Sequence, residues 1–584
     1  MFSSNNKAVF KQYVIVSLFE DSLKIIYSPE RSRQMKKTMT LFAFVLTTMV
    51  FLTACYPKKN IPEKTEQGTT EAVVINVTQE LNTLDPANSV DVNTIIVINN
   101  VYEGLYRLDA GNQPLPAGAV ELPAISEDGL TYTIKLRKEA KWSNETPVTA
   151  HDYVFAWQRA HADTNAGENA HLFSSIKNSE AIIFGDKPAT ELGISAIDDY
   201  TLKVELTYPT PYFTALLASS AFFPLNEAYV KEQGKEFGAN SEQAIYNGPF
   251  VLAEFAGPGS GSNWEYHKNP AYWDQESVKT DTIKVNVVKE ISTNVSLFES
   301  GETDDVNITG EFVKNNLDNP AFVSEKPVQT IFIGYNHTKD FFRNKKIRQA
   351  VSLVVDRREI TDNLLNNGAV PASGLIFDGL YSHSETGEDF AKASGNVLKM
   401  DVSKAKQLWL EGKKELGLSE TDEVPIHLIT FESEDMRKMG EYLQAVFKEH
   451  LPGAKIEASV YPTSVFMESA AKQDFDLYLV SWGVDYPDPT SLFQLFQSSV
   501  AHNWGKYNSQ AYDEALRKAN EDDVLDVDKR WDDLLTAEKI LMEEQGVTPL
   551  YFSGPNHLRN PKLKGVKYHN AGPRFEYKAA YLEP

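Results

Sequence analysis

Few residues in this 584-residue chain have the types and spacing for concerted chemistry. There is one cysteine, Cys55, and the 11 histidines are scattered. His161 and His171 lie too far apart to share the face of a helical metal site. No His-Glu-x-x-His run or serine elbow occurs. The carboxylate-rich stretches Glu521-Asp-Asp523 and Asp528, Asp532 and Asp533 read as solvated helix faces. The glycine-rich run Gly257-Pro-Gly-Ser-Gly-Ser262 matches no phosphate loop and suits a hairpin tip. With neither a nucleophile pair nor a metal set, the chain is read as a non-enzyme without cofactor or bound metal. The chemistry left to explain is that of Cys55 and of side chains that could hold a ligand.

Cys55 ends Leu52-Thr-Ala-Cys55, directly after the apolar run Leu41–Phe51, which follows Met35-Lys-Lys37. A basic start, a short apolar core and a small-residue cleavage site make a secretory signal. The apolar run is too short and too interrupted by Thr to span a bilayer about 30 Å thick. Leu-Thr-Ala-Cys resembles the lipobox of bacterial lipoproteins, which implies a diacylglyceryl thioether on Cys55 and no free thiol in the exported chain. Two acyl chains hold a protein to a membrane where one binds marginally. Residues 1–34 carry Glu20, Asp21 and Glu30 ahead of this signal. A start at Met35 would make them an extension of the gene model, and Glu30-Arg-Ser32 can be encoded as a purine-rich ribosome-binding sequence.

The net charge of −24 speaks against nucleic acid and against a polybasic membrane surface, so attachment falls to the lipid. The polar stretch Tyr56–Thr70 contains two prolines and reads as a flexible tether. At about 15 residues it reaches roughly 20 Å as a coil.

The elements that must position any site begin with strand-like Ala72–Val77 and a helix over Asn93–Leu105. Gly129–Leu136 alternates at period two, and Thr149 is a good N-cap for a helix through Tyr153–Trp157. Strands are expected at Thr201–Leu206, Phe250–Phe255, Trp264–His267, Thr282–Val288 and Gln329–Tyr335. Helix and strand patterns then alternate through Lys345–Leu364, Val402–Leu416, Ile426–Phe431, Arg437–His450, Lys455–Val460 and Phe475–Ser481. The length exceeds what one core supports, and the mixture suggests α/β lobes.

Several stretches in order resemble the family-5 extracellular solute-binding proteins, the oligopeptide and dipeptide receptors of ABC importers. They are Asn100–Tyr106, Ser126–Arg137 with Lys141-Trp-Ser143 and Thr146–Asp152, Asn247-Gly-Pro-Phe250, Asn269–Asp274, Asn344–Arg357 and Ser481–Pro489. The resemblance implies a two-lobed periplasmic-binding-protein-like fold of the hinge-closing type II, with an extra subdomain in the N-terminal lobe. On that basis residues 35–54 are the signal, 55–70 the tether, and 71–331 the first lobe with an insertion at about 107–236. Residues 332–549 form the second lobe, and 550–584 return to the first. Crossovers are expected near Phe332–Asn336 and Pro549–Phe552. Such lobes close over a ligand that makes better contacts in the closed state.

The family's aspartate for the peptide α-ammonium maps onto Asp485; the other reading is a cap on the turn Asp485–Pro489. Trp482, Gly483 and Val484 would give the strand edge and first pocket, though Trp482 also suits a core. Gly483 stands where some relatives carry a bulkier residue, which implies a wider pocket or an altered backbone. Val90, Asp91 and Val92 would supply a second peptide-pairing edge, or an ordinary loop before the next helix. Tyr335 is a cleft candidate or a hinge-packing residue. The implied function is a monomeric, lipid-anchored receptor on the outer membrane face, of Gram-positive type, that passes oligopeptides to an ABC permease and its ATPase. The alternatives are a dedicated peptide-pheromone receptor, or a receptor for another solute such as nickel, haem or a sugar oligomer.

Overall fold

The computed structural model describes residues 72–89, 91–162, 169–259 and 263–584. Cys55, the signal and the tether lie outside them, as does Val90. Two large sheets divide the described chain. In the first, Val73–Val77 sits centrally and runs parallel to both Thr282–Val287 and Asp305–Ile308. Antiparallel strands continue outward: Asn263–Lys268 and Phe250–Ala253 on one side, Asn556–Arg559 and Phe322–Ser324 on the other. Strands Phe250–Ala253 and Asn263–Lys268 pair antiparallel, with residues 257–259 of the glycine-rich run between them, and residues 260–262 lie outside the described residues.

The second sheet runs in the order Val370–Pro371, Val547–Ser553, Gln329–Tyr335, Leu477–Gly483, Val424–Phe431 and Ala454–Tyr461. Its middle strand, Gln329–Tyr335, is apolar and almost wholly buried, as a strand covered on both faces must be. Gly334 in that strand is obligatory for packing: a Cβ there would lie 1.9 Å from the Tyr478 ring. Helices Lys345–Leu353, Val402–Glu415, Glu434–His450 and Val527–Glu543 bury their apolar stripes among the residues of this lobe.

A third, four-stranded antiparallel sheet comprises Ala124–Ile125, Thr131–Lys135, Thr201–Glu205 and Ile194–Asp198, with helix Ala150–Ala162 beside it. It falls within the expected insertion. Its core is continuous with that of the first lobe, for Tyr102 of one meets Trp142 of the other edge-on at 6.4 Å. At the helix start, Asp152 accepts from the Thr149 N–H at 2.7 Å, reaching back across the first turn.

The crossovers differ from the expectation. The chain leaves the first sheet at Ser324 and enters the second at Gln329, then leaves at Ser553 and re-enters the first at Asn556. The passages are therefore 325–328 and 554–555. The segments Phe332–Asn336 and Pro549–Phe552 are extended and apolar because they are core strands of the second sheet, not because they cross. The expected helix over Lys345–Leu364 breaks after Leu353 and resumes as a wide turn over Glu359–Leu365.

Two of the motifs explain each other. Glu103 accepts from the Tyr272 hydroxyl and the Trp273 indole N–H, each at 2.5 Å, and from Arg107 at 3.0 Å. Asn100–Tyr106 and Asn269–Asp274 thus lock the first lobe together.

Candidate functional site: the cleft between the lobes

Strand Leu477–Gly483 carries the expected site to the cleft. On one side it pairs along its whole length with Gln329–Tyr335. On the other, pairing with Val424–Phe431 stops at Leu479, so from Val480 to Gly483 that edge has no strand partner among the described residues. An unpartnered edge is a template for another extended chain.

Asp485 follows this strand. Its N–H donates to Ser491 Oγ at 3.0 Å, and its exposed side chain lines a cavity of about 300 Å³. Capping of the turn falls to Asp488, whose carboxylate accepts from the Thr490 N–H at 3.0 Å and its hydroxyl at 2.6 Å. Asp488 is buried and paired with Arg530 at 2.9 Å. The coulombic pull of Asp488 holds that guanidinium above its ordinary pKa, against the cost of burial.

Val484 lines the same cavity. Trp482 is half-buried, edge-on to His502 at 5.6 Å and to Trp504 at 5.7 Å, and so belongs partly to the core. At Gly483 a Cβ would meet nothing nearer than the Val328 carbonyl at 3.6 Å, an ordinary contact. Its glycine leaves space and answers no backbone requirement.

On the first-lobe rim, Asp91 caps helix Val92–Val101, accepting from the Thr94 N–H at 2.9 Å and from the Asn82 amide at 2.9 Å. Its role there is local. Val92, 43% exposed, lines the cavity beside Ser89 and Ser220. Tyr335 lies elsewhere: it is buried in the second-lobe core and its hydroxyl bonds the Arg348 carbonyl at 3.1 Å and the Thr548 hydroxyl. Of the two readings for Tyr335, packing is the one its surroundings support.

The rest of the wall went unread in the sequence. Val328 comes from a crossover, and Asn570 to Arg574 come from the C-terminal return. A second cavity of about 280 Å³, lined by Asp305, His557 and Phe575, shares Val92 and Arg574 with the first. The lobes touch at the cleft's margins. Asn112 donates to the carbonyls of Gly379 and Leu380 at 2.9 and 3.1 Å, and Tyr212 stacks on Tyr486 at 4.1 Å.

A two-lobed α/β body with a cavity walled by both lobes is an arrangement for enclosing a solute. The model of the bacterial extracellular solute-binding proteins, family 5, matches residues 113–504. The chain belongs to this family. The dipeptide-binding protein of Lactococcus lactis subsp. cremoris is 31% identical over 562 residues, covering 94% of this chain and 99% of that protein. The substrate-binding domain of an oligopeptide ABC transporter from Bacillus anthracis superimposes with a TM-score of 0.70 at 39% identity, over 88% of this chain and all of that one. The peptide-binding pheromone receptor PrgZ superimposes with a TM-score of 0.71 at 35% identity, over 88% of this chain and all of that one. This family-5 chain therefore shares the two-lobed architecture across nearly its whole described length.

Proposed function

We propose that the cleft binds an extended oligopeptide, with Asp485 meeting its α-ammonium and the strand edge at Val480–Gly483 pairing its backbone. The observation that carries this reading is the placement of Asp485 in the cavity, directly after a strand whose edge from Val480 to Gly483 has no strand partner among the described residues. Backbone hydrogen bonds give affinity whatever the sequence, and water adapts to the side chain that arrives. Asp485 is exposed, so an ammonium beside it gains most as closure removes water and lowers the local dielectric. Gly483 leaves room at the edge for a ligand side chain. The bound peptide then passes to an ABC permease and its ATPase. Lipid on Cys55 would hold a monomeric receptor on the outer membrane face beside that permease, where confinement raises its effective concentration.

The likeness to PrgZ favours a second reading, a receptor for one peptide signal. Calorimetry against defined peptides of two to about ten residues tests both. Comparable binding of many sequences supports import, one strongly preferred peptide supports signalling, and binding of none refutes the peptide reading.

A further inference from the structure

The two lobes meet through contacts of two kinds. One kind lies at the hinge. Lys326, in the first crossover, donates to the Ala110 carbonyl at 3.0 Å, and nearby Asn112 donates to the carbonyls of Gly379 and Leu380. Groups so close to a crossover are displaced little when lobes part. The other kind joins the inserted subdomain to the second lobe. Tyr212 and Tyr486 stack with ring centroids 4.1 Å apart and planes 5° from parallel. The cavity beside them, about 430 Å³, takes walls from Leu172, Tyr208 and Gln494 but from no residue of either crossover.

Tyr486 is the deeper half of the pair. It is 8% exposed and, among the described residues, the only one of 332–549 buried within the apolar core of the first lobe. The turn behind it is held by Asp488, which caps it and pairs with Arg530 at 2.9 Å. Just ahead of the helix that carries Arg530, Leu525 also rests on the subdomain. A Cβ on Gly129 would lie 2.8 Å from Leu525 Cδ2 and 3.2 Å from Pro209 Cβ. Tyr486 and Leu525 are thus tied to each other through one buried ion pair, and both land on the inserted subdomain. Opening the cleft must unstack Tyr212 and expose the Tyr486 ring to water, which is unfavourable. Every group in these contacts belongs to the protein, so their contribution is the same whichever ligand the cleft holds.

We infer that Tyr212 and Tyr486 form a latch, a pair of positioning residues that favours the closed lobes whatever the ligand. The assignment rests on the closing cleft of the reading above and not on the chemistry of the ligand. It divides the work between neighbours in the chain. Asp485 meets the ligand, while Tyr486 sets how much of the protein is closed around it. Apparent affinity scales with the fraction of molecules in the binding-competent state. A weaker latch therefore lowers affinity for every peptide by one common factor. It does so through faster release, because escape waits on opening.

The test joins solution X-ray scattering of the protein without peptide to stopped-flow kinetics with two unlike tripeptides, Ala-Ala-Ala and Lys-Phe-Gly. Tyr212→Ala and Tyr486→Ala should each enlarge the radius of gyration. Each should also speed release of both peptides by the same factor, about 10-fold, with association little changed. The double variant should be no weaker than the weaker single one, because the rings act as a pair. Tyr212→Phe keeps the ring and should behave like the unaltered protein. Tyr212 is only half-buried, so its Ala variant also guards against a folding defect. Unchanged scattering and release in both Ala variants overturn the latch. So does a loss that differs between the two peptides, the mark of a ring that touches the ligand, or a loss confined to association. If the unaltered protein binds neither peptide, the peptide reading fails and scattering alone decides the latch: enlargement in the Ala variants supports it, and none overturns it.

Discussion

The two rims of the cleft each carry an aspartate beside a turn, and they use it differently. On the first-lobe rim Asp91 is consumed by local structure: its two oxygens cap helix Val92–Val101 and hold Asn82. On the second-lobe rim the local duties fall to Asp488, which caps the turn and pairs with Arg530, while Asp485 faces the cavity three positions earlier. Position beside a turn does not decide an aspartate's role; the decisive question is whether another group already satisfies the backbone. Where a neighbour does, the carboxylate has no need to cap the turn.

This contrast can be broken at several points. The largest effect should come from Arg530→Met, which leaves Asp488 as an uncompensated buried charge. Stability should fall by about 3–5 kcal/mol, seen in urea unfolding, and peptide affinity should fall with it because the Asp485 turn loses its support. If stability is unchanged, Asp488 is not the residue that holds the turn.

Glu538 sharpens the comparison, since it is a fully buried carboxylate without a cation. It accepts from the N–H groups of Leu375 at 2.8 Å and Ile376 at 3.3 Å, and burial pushes its pKa up to about 7. A carboxylate whose folded pKa lies above its unfolded value favours the folded state when protonated. Its cost is therefore absent at acid pH, grows as pH rises from about 4.5, and is complete above about 7. Glu538→Gln should flatten the pH dependence of unfolding in that window. An unchanged pH profile would show that Glu538 does not titrate there.

Asp91→Ala should cost about 1 kcal/mol, the usual worth of an N-cap, and leave peptide affinity nearly unaltered. A loss of affinity without a loss of stability would reverse the roles assigned to the two rims.

Much of this architecture is legible in the residues themselves. The alternation in Thr131–Lys135 and the apolar run Gln329–Tyr335 both announce strands, and Thr149 with Asp152 announces a helix start. The crossovers were misplaced because a buried central strand and an extended connector look alike locally; only pairing tells them apart. Asp485 could be found from its motif, but its division of labour with Asp488 depends on Arg530, which arrives from a helix late in the chain. Arg574 carries no local signal at all. It reaches the cleft because the C-terminal return is tied to helix Val92–Val101, where Asn100 donates to the Phe575 carbonyl at 3.0 Å and accepts from the Tyr577 N–H at 2.8 Å.

The most direct test of the central claim is calorimetry of one peptide in two forms, with a free and an N-acetylated amino terminus, against the unaltered protein and Asp485→Ala. Acetylation should weaken binding to the unaltered protein by about 10- to 100-fold and make little difference to Asp485→Ala, because the charge and its partner act as a pair. Equal binding of the two forms by the unaltered protein, or an undiminished gap in Asp485→Ala, would contradict the assignment of Asp485 as the residue that captures the ligand.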